Sequence, residues 1–521
     1  MRLLRFVTAA LLLSTAQVQA APVVAAAGAA AAWYASIGVV GQLVVQVAIG
    51  VALTAASYGL QQMLSGGSRR AEQAGNQDAA SVTLPEIDGL LEVVRAYGIV
   101  VTPGGVFFRK TVADTGASGP NRYVLGLALS EGVCDGLDAL IINGVVCEFD
   151  EAGVPQTAPW NDGFGNSYIS VSFRAGTTTQ TIDPIIAARF PDEDVNFCQK
   201  GVCTLVLDMH FGTDAEHHAE LWGTSGIPTI LVRLRGLRVY DRDDPLQVAN
   251  DPDTWAFSDI ATVAIEDYLV AEIGGQVQRS EIDHAPALES IQIDKTNMPT
   301  LDGIEATGRV NGLVFSSEAN VDVLASMAQQ NRGIVSKAGG KYVIRADRPP
   351  VAVSTIHQGL WLGQLSFRNE RDTRSAIDGI VTQFYPASRF NQAADTSYPA
   401  AALDDPDAQR VTFRFSDTAA QAQRLGFGLV KDNQAGRQIS GAFDISVLVA
   451  PGKSNRTLQV GDPVWFEVNA PYDGMAGLYR IDSIEITAPG FGVSLAMSEA
   501  APDAITGWST ALETPFAAEA A

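Results

Sequence analysis

The sequence predicts a mainly β protein with α+β subdomains, preceded by one long apolar helix. Three observations carry this reading. Residues 6–68 contain no Asp, Glu, Lys or Arg. From about residue 85, short runs of β-branched and aromatic residues alternate with Gly, Asn and Asp. Beyond that point helical periodicity is sparse, with stretches at 260–270 and 321–330. Apolar residues make up 47% of the 521-residue chain, enough for sizeable cores and too many for global disorder.

The start of the uncharged stretch is signal-like. Arg2 and Arg5 form a basic patch, residues 6–13 are apolar, and Val18-Gln19-Ala20 ends like a cleavage site. Residues 33–64 follow; as a helix they span about 48 Å, longer than a bilayer core of ~30 Å. A transmembrane anchor is one reading. The other is a self-associating helix, because a heptad frame fits: Val39, Gln46, Leu53 and Leu60 recur every seven residues, as do Gln42, Ile49, Ala56 and Met63. These rows form one seam, with the glutamines bonding across chains. Ser65-Gly66-Gly67-Ser68-Arg69-Arg70 ends the helix.

The expected organisation is an apolar helical segment at 1–70, a linker at 71–84, and first β domains at 85–295. A small α+β domain at 296–350, a second β region at 351–440, a C-terminal β domain at 441–510 and a tail at 511–521 follow. Residues 123–129, 202–209 and 229–239 read as strands. Asn143-Gly144 between two apolar runs reads as a hairpin turn. Residues 317–344 read as helix, a break at Gly333, strand, a Gly339-Gly340 turn and strand.

Charge and motifs exclude several function classes. The net charge of −23 repels phosphate backbones, so sequence-reading nucleic-acid binding is not expected. Four cysteines rule out a disulfide-stapled scaffold. Nucleophile-elbow, phosphate-loop and zincin motifs are absent, and no enzyme activity or cofactor is expected. The one metal candidate, a weak one, is Cys198 and Cys203 with His210 and His217, beside Asp208 and His218. Asp214, Glu216 and Glu220 suggest a solvated acidic loop there instead. A Cys198–Cys203 disulfide stays open, and Cys134 and Cys147 read as buried free thiols.

The order of motifs resembles the central tail hub, or tail tip protein, of long non-contractile-tailed bacteriophages, a family also found in gene transfer agents. The residues that carry the likeness are 96–108, Leu125-Gly126-Leu127-Ala128-Leu129-Ser130-Glu131-Gly132 and Ile142-Asn143-Gly144. Next come Gly236-Leu237-Arg238-Val239-Tyr240-Asp241, Trp255-Ala256-Phe257-Ser258-Asp259 and Asp267-Tyr268-Leu269, with Ile260-Ala261-Thr262 in place of the family's Asn-Pro-Ala. Residues 317–347, 421–426, Gly461-Asp462-Pro463-Val464, Gly477-Leu478-Tyr479-Arg480-Ile481 and Trp508 complete it. The resemblance spans about 85–510.

It implies tail-tube-like β domains forming a homotrimeric hub in the virion, at the distal tail tip. The implied partners are a distal tail protein ring, a tape-measure protein, other tip proteins and fibres, with host membrane contact during entry. DNA would pass without specific binding. A separate fibre is expected to carry receptor binding, because the sequence stops shortly after Trp508. The competing expectation is a secreted or periplasmic β-rich binding protein, exported by the N-terminal signal.

Overall fold

A computed structural model describes residues 92–516, apart from 118, 151–153, 162–166, 213, 224–227, 369–376, 450–457, 471 and 488–491. These residues belong to the second of two units, Met1–Ala52 and Leu53–Ala521. The apolar segment, with seam positions Val39, Gln42, Gln46, Ile49, Leu53, Ala56, Leu60 and Met63, lies outside the described residues. Among the described residues no helix is long and apolar enough to cross a membrane.

The chain begins with strands β1 (Val94–Tyr97), β2 (Ile99–Thr102), β3 (Gly105–Val112) and β4 (Arg122–Glu131). It continues through β5 (Cys134–Ile142), β6 (Val145–Cys147), β7 (Ile169–Arg174), helix α1 (Pro184–Arg189) and β8 (Val202–His210). Helix α2 (Ala215–Trp222), β9 (Ile230–Val239) and the short β10 (Ala256–Phe257) complete this part. Two antiparallel sheets result. One has the order β3-β4-β8-β7, and the other β10-β9-β5-β6 with β2 also on β9.

Leu125, Leu127, Leu205 and Leu207 of the first sheet share one core with Leu140, Ile142, Val232 and Leu234 of the second. The other face of β8 is also covered: Val206 packs with Phe108, Val124 and Ile186 of α1. Burial on both faces explains why β8 reads as a continuous apolar run rather than an alternating one. The β5–β6 turn is Asn143-Gly144, with φ of 51° and 83°, the doubly positive φ that a type I′ turn requires.

The next part adds α3 (Ala261–Val270), α4 (His284–Asp294), β11 (Asn297–Thr300), β12 (Gly303–Ala306) and β13 (Gly312–Phe315). Helix α5 (Asn320–Gln329), β14 (Ile334–Ala338) and β15 (Lys341–Arg345) follow, the last two joined by the Gly339-Gly340 turn. Strand β1 pairs with β13, and a single hydrophobic cluster runs from Ala96 through Ile344 to Phe415. Helix α3 is buried almost all round, including Glu266 and Asp267. Arg242 holds Glu266 bidentately at 2.7 Å, and Arg95 meets Asp267 at 2.6 Å. Burying those carboxylates without such partners would cost several kcal/mol each.

The last part contains β16 (Ser354–His357), β17 (Trp361–Arg368), β18 (Ile380–Phe384), β19 (Ala394–Tyr398) and β20 (Gln409–Thr412). Helix α6 (Ala419–Gln434), β21 (Gln438–Asp444), β22 (Pro463–Glu467), β23 (Gly477–Thr487), β24 (Gly492–Glu499) and α7 (Asp503–Thr506) end it. A six-stranded sheet of order β16-β22-β23-β24-β21-β17 carries its own core, including Phe443, Phe466 and Tyr479. The three-stranded sheet β19-β18-β20 packs on α6 around Phe384 and Leu425.

Helix α6 is a structural finding within a segment read as β. Its buried residues include Gln421, Gln423 and Arg424 beside Ala422, Leu425, Phe427 and Val430, so polar side chains interrupt its apolar pattern. Most of these polar groups have distant partners, although the Gln421 Oε1 has none among the described residues. Gln421 donates to the Arg309 carbonyl at 2.9 Å, Gln423 donates to the Thr514 carbonyl and accepts from its N–H, and Arg424 meets Glu305 at 2.8 Å.

Candidate functional site

Asp208 and His210 lie at the C-terminal end of β8, and the sequence turns there into α2. Asp214 caps that helix by accepting from the His217 N–H at 2.9 Å. The segment expected as a solvated acidic loop is therefore a helix, started by a cap that the sequence does contain. Trp222 at its end is buried and donates its indole N–H to the His210 carbonyl at 2.7 Å. Asn143 also reaches this corner: its amide donates to the Trp222 carbonyl at 3.0 Å and its oxygen accepts from Thr229 N–H at 2.9 Å.

Between these elements opens a cleft of about 620 Å³, lined by Thr111, Tyr123, Met209, Phe211, His218 and Trp222 among others. Its walls suit an apolar or aromatic side chain. The ionisable groups behind it are engaged in one another. Arg122 contacts Asp114 at 2.7 Å and Asp208 at 3.3 Å, and Arg189 contacts the same two carboxylates at 2.8 Å each. The Arg122 guanidinium holds the Asp114 carboxyl below its ordinary range. His210 Nδ1 accepts from Gly212 N–H at 3.0 Å. Burial, then the Arg122 charge, hold that imidazole below its ordinary pKa. His218 Nδ1 donates to the Phe211 carbonyl at 2.8 Å, and His217 stands edge-on to Tyr168 at 4.7 Å.

The sequence-derived metal candidates do not converge. Cys203 faces Ser130 in the β4–β8 register and His210 faces Arg122 at the other end of β8. Seven residues of strand separate them by about 23 Å, ten times a zinc–ligand bond. Cys198 points to the Asn196 carbonyl at 3.3 Å. No metal-competent group of His, Cys, Asp or Glu occurs among the described residues. All four cysteines are buried and free, so Cys198 and Cys203 do not form a disulfide.

Surfaces able to meet other subunits are more evident than a reaction centre. The loop between β9 and β10 carries Leu246, 83% exposed. Local bonds hold that loop: Gln247 accepts from Asp241 N–H at 2.9 Å, and Trp255 donates to the Val248 carbonyl at 2.9 Å. Strand β17 is an eight-residue sheet edge with Leu362 and Gln364 exposed, and edges of this kind invite pairing. Neither surface was legible in the sequence, because exposure depends on what the rest of the chain leaves uncovered.

Between the cores lie buried arginine–carboxylate clusters. Arg309 contacts Asp259 at 2.8 Å, Asp417 at 3.2 Å and Glu305 at 3.6 Å. Asp347 contacts Arg332 at 3.0 Å and Arg480 at 2.7 Å, and those two arginines hold its carboxyl below the ordinary range despite its burial. These clusters fix the orientation of the sheets relative to one another.

No protein-family model matches the chain, and no curated protein matches it in sequence. Among solved structures, a chain of the native gene transfer agent virion is similar over 94% of this chain and 98% of its own, with 17% identity and a TM-score of 0.55. The 43 kDa tail protein of prophage MuSo2 from Shewanella oneidensis covers 80% of this chain and 99% of its own at 12% identity, with a TM-score of 0.28. A tail protein from Neisseria meningitidis MC58 covers 78% of this chain and 99% of its own at 11% identity, also with a TM-score of 0.28. The described residues thus have the mainly β fold of a gene transfer agent virion chain.

Proposed function

We propose that this chain is a structural subunit of a phage-type tail, and specifically its central hub at the distal end. The observation that carries the reading is the near end-to-end fold likeness to a chain of a gene transfer agent virion. The order of hub-like motifs in the sequence supports it independently. So does the acidic balance, −23 per chain, because a conduit without a cationic lining does not retain passing DNA.

In this reading three copies close around one axis and join a distal tail protein ring, a tape-measure protein and the fibres. Residues 33–64 line or plug the lumen through the seam at Val39, Gln46, Leu53 and Leu60, and enter the host membrane when the tip opens. The role is structural, without turnover. Native mass spectrometry of the purified full chain is the direct test. Three copies per particle are expected, and dye release from liposomes is expected on exposure of the N-terminal segment. A chain that stays monomeric at micromolar concentration and leaves liposomes intact refutes the hub reading.

A further inference from the structure

Two of the four thiols face each other although they are distant in sequence. Strand β4 ends at Glu131, the chain turns at Gly132 with φ of 86°, and β5 starts at Cys134 in the other sheet. Cys203 lies on β8, opposite Ser130 of β4. Backbone bonds fix the corner: Gly132 N–H donates to the Gly201 carbonyl and Cys134 N–H to the Ala175 carbonyl, both at 2.8 Å. The packing is tight. A Cβ on Gly176 would stand 2.8 Å from Cys203 N and 2.2 Å from the Gly132 carbonyl oxygen. Both cysteines are fully buried in the core shared by the two sheets, close enough for each thiol to feel the other.

We propose that Cys134 and Cys203 are a latent cross-link: a dithiol in a reducing medium that closes to a disulfide between the two sheets in an oxidising one. The chemistry does not depend on the tail reading. With glutathione disulfide as oxidant, one cysteine thiolate attacks a glutathione sulfur, forming a mixed disulfide and releasing one glutathione. The second cysteine sulfur then attacks the protein sulfur of that mixed disulfide and releases the other glutathione. The protein loses two protons and two electrons, and both go to the glutathione disulfide.

The same geometry sets the rate. Burial pushes the Cys203 thiol well above its ordinary range, so little thiolate forms while the corner is closed. Oxidation therefore waits for local opening of the β4–β5 corner and is slow. Once formed, the bond closes a long loop, and constraining long loops stabilises most.

The test incubates the purified full chain with glutathione disulfide, quenches with N-ethylmaleimide, unfolds it and maps peptides by tandem mass spectrometry. The expected result is one internal link, Cys134 to Cys203, with a thermal midpoint raised by roughly 5–10 °C and restored by dithiothreitol. Cys134→Ser and Cys203→Ser each abolish the link, and Cys147→Ser keeps it. Subdenaturing urea speeds its formation without changing the product. The proposal is overturned if all four thiols remain alkylatable, if only glutathione adducts form, if another pair links, or if the link leaves the midpoint unmoved. Should a serine variant not fold, the maps of the unsubstituted chain and of Cys147→Ser still decide the matter.

Discussion

Asp294, the last residue of α4, offers the sharpest stability test. It is fully buried, and one oxygen, Oδ2, accepts three bonds: from Thr262 N–H at 2.8 Å, Thr262 Oγ1 at 2.6 Å and Asn331 Nδ2 at 3.0 Å. Helix α3 has no cap from its own preceding residue, Ile260, so Asp294 supplies that acceptor from another helix. The second oxygen, Oδ1, has no bonding partner, and it presses against Gly308, where a Cβ would come within 2.3 Å. Burial raises the carboxyl pKa from 3.8 to about 7, against the opposing pull of the Thr262 and Asn331 bonds.

The folded protein therefore holds this proton to higher pH than the unfolded chain does. Stability is favoured below the unfolded pKa, declines as pH rises from about 4, and reaches its low plateau above about 7. A shift of about three units corresponds to about 4 kcal/mol between the ends of that window. Asp294→Asn keeps the acceptor for Thr262 and removes the charge. We expect urea midpoints of the variant to lose most of the decline between pH 4.5 and 8, and to exceed those of the unsubstituted chain at pH 8 by an equivalent of about 1–3 kcal/mol. If both proteins show the same pH slope across that window, the Asp294 argument is wrong.

Glu305→Ala leaves Arg424 and Arg309 short of a buried partner and should cost about 3–5 kcal/mol, read as a fall in thermal midpoint. Trp508→Ala removes ring contacts to Phe427 and Tyr398, at 5.6 and 6.3 Å, and should cost about 3–5 kcal/mol by denaturant titration. Asn143→Ala loses both the positive-φ preference of the β5–β6 turn and two bonds to the α2–β9 connection; we expect about 2 kcal/mol in the same assay. Leu246→Ser should leave the midpoint within about 0.5 kcal/mol, because the side chain is exposed, while lowering incorporation into assembled particles.

Local rules settled the elements whose signals sit within a few residues. The Asn143-Gly144 and Gly339-Gly340 turns, the β8 run and helices α3 and α5 are legible because turn chemistry and burial pattern act over one or two turns of chain. Composition settled the charge sign, and the short runs of β-branched and aromatic residues settled the β-rich class. Helix α6 escaped because its buried residues mix polar with apolar, and a glutamine reads as buried only when its partners, Arg309 for Gln421 and Thr514 for Gln423, are known to be near. The cleft at Trp222, the trans cap from Asp294 and the Cys134–Cys203 pair were decided by tertiary structure alone. Each depends on segments tens to hundreds of residues apart meeting in space, and a sequence encodes such meetings only through the summed packing of the whole chain.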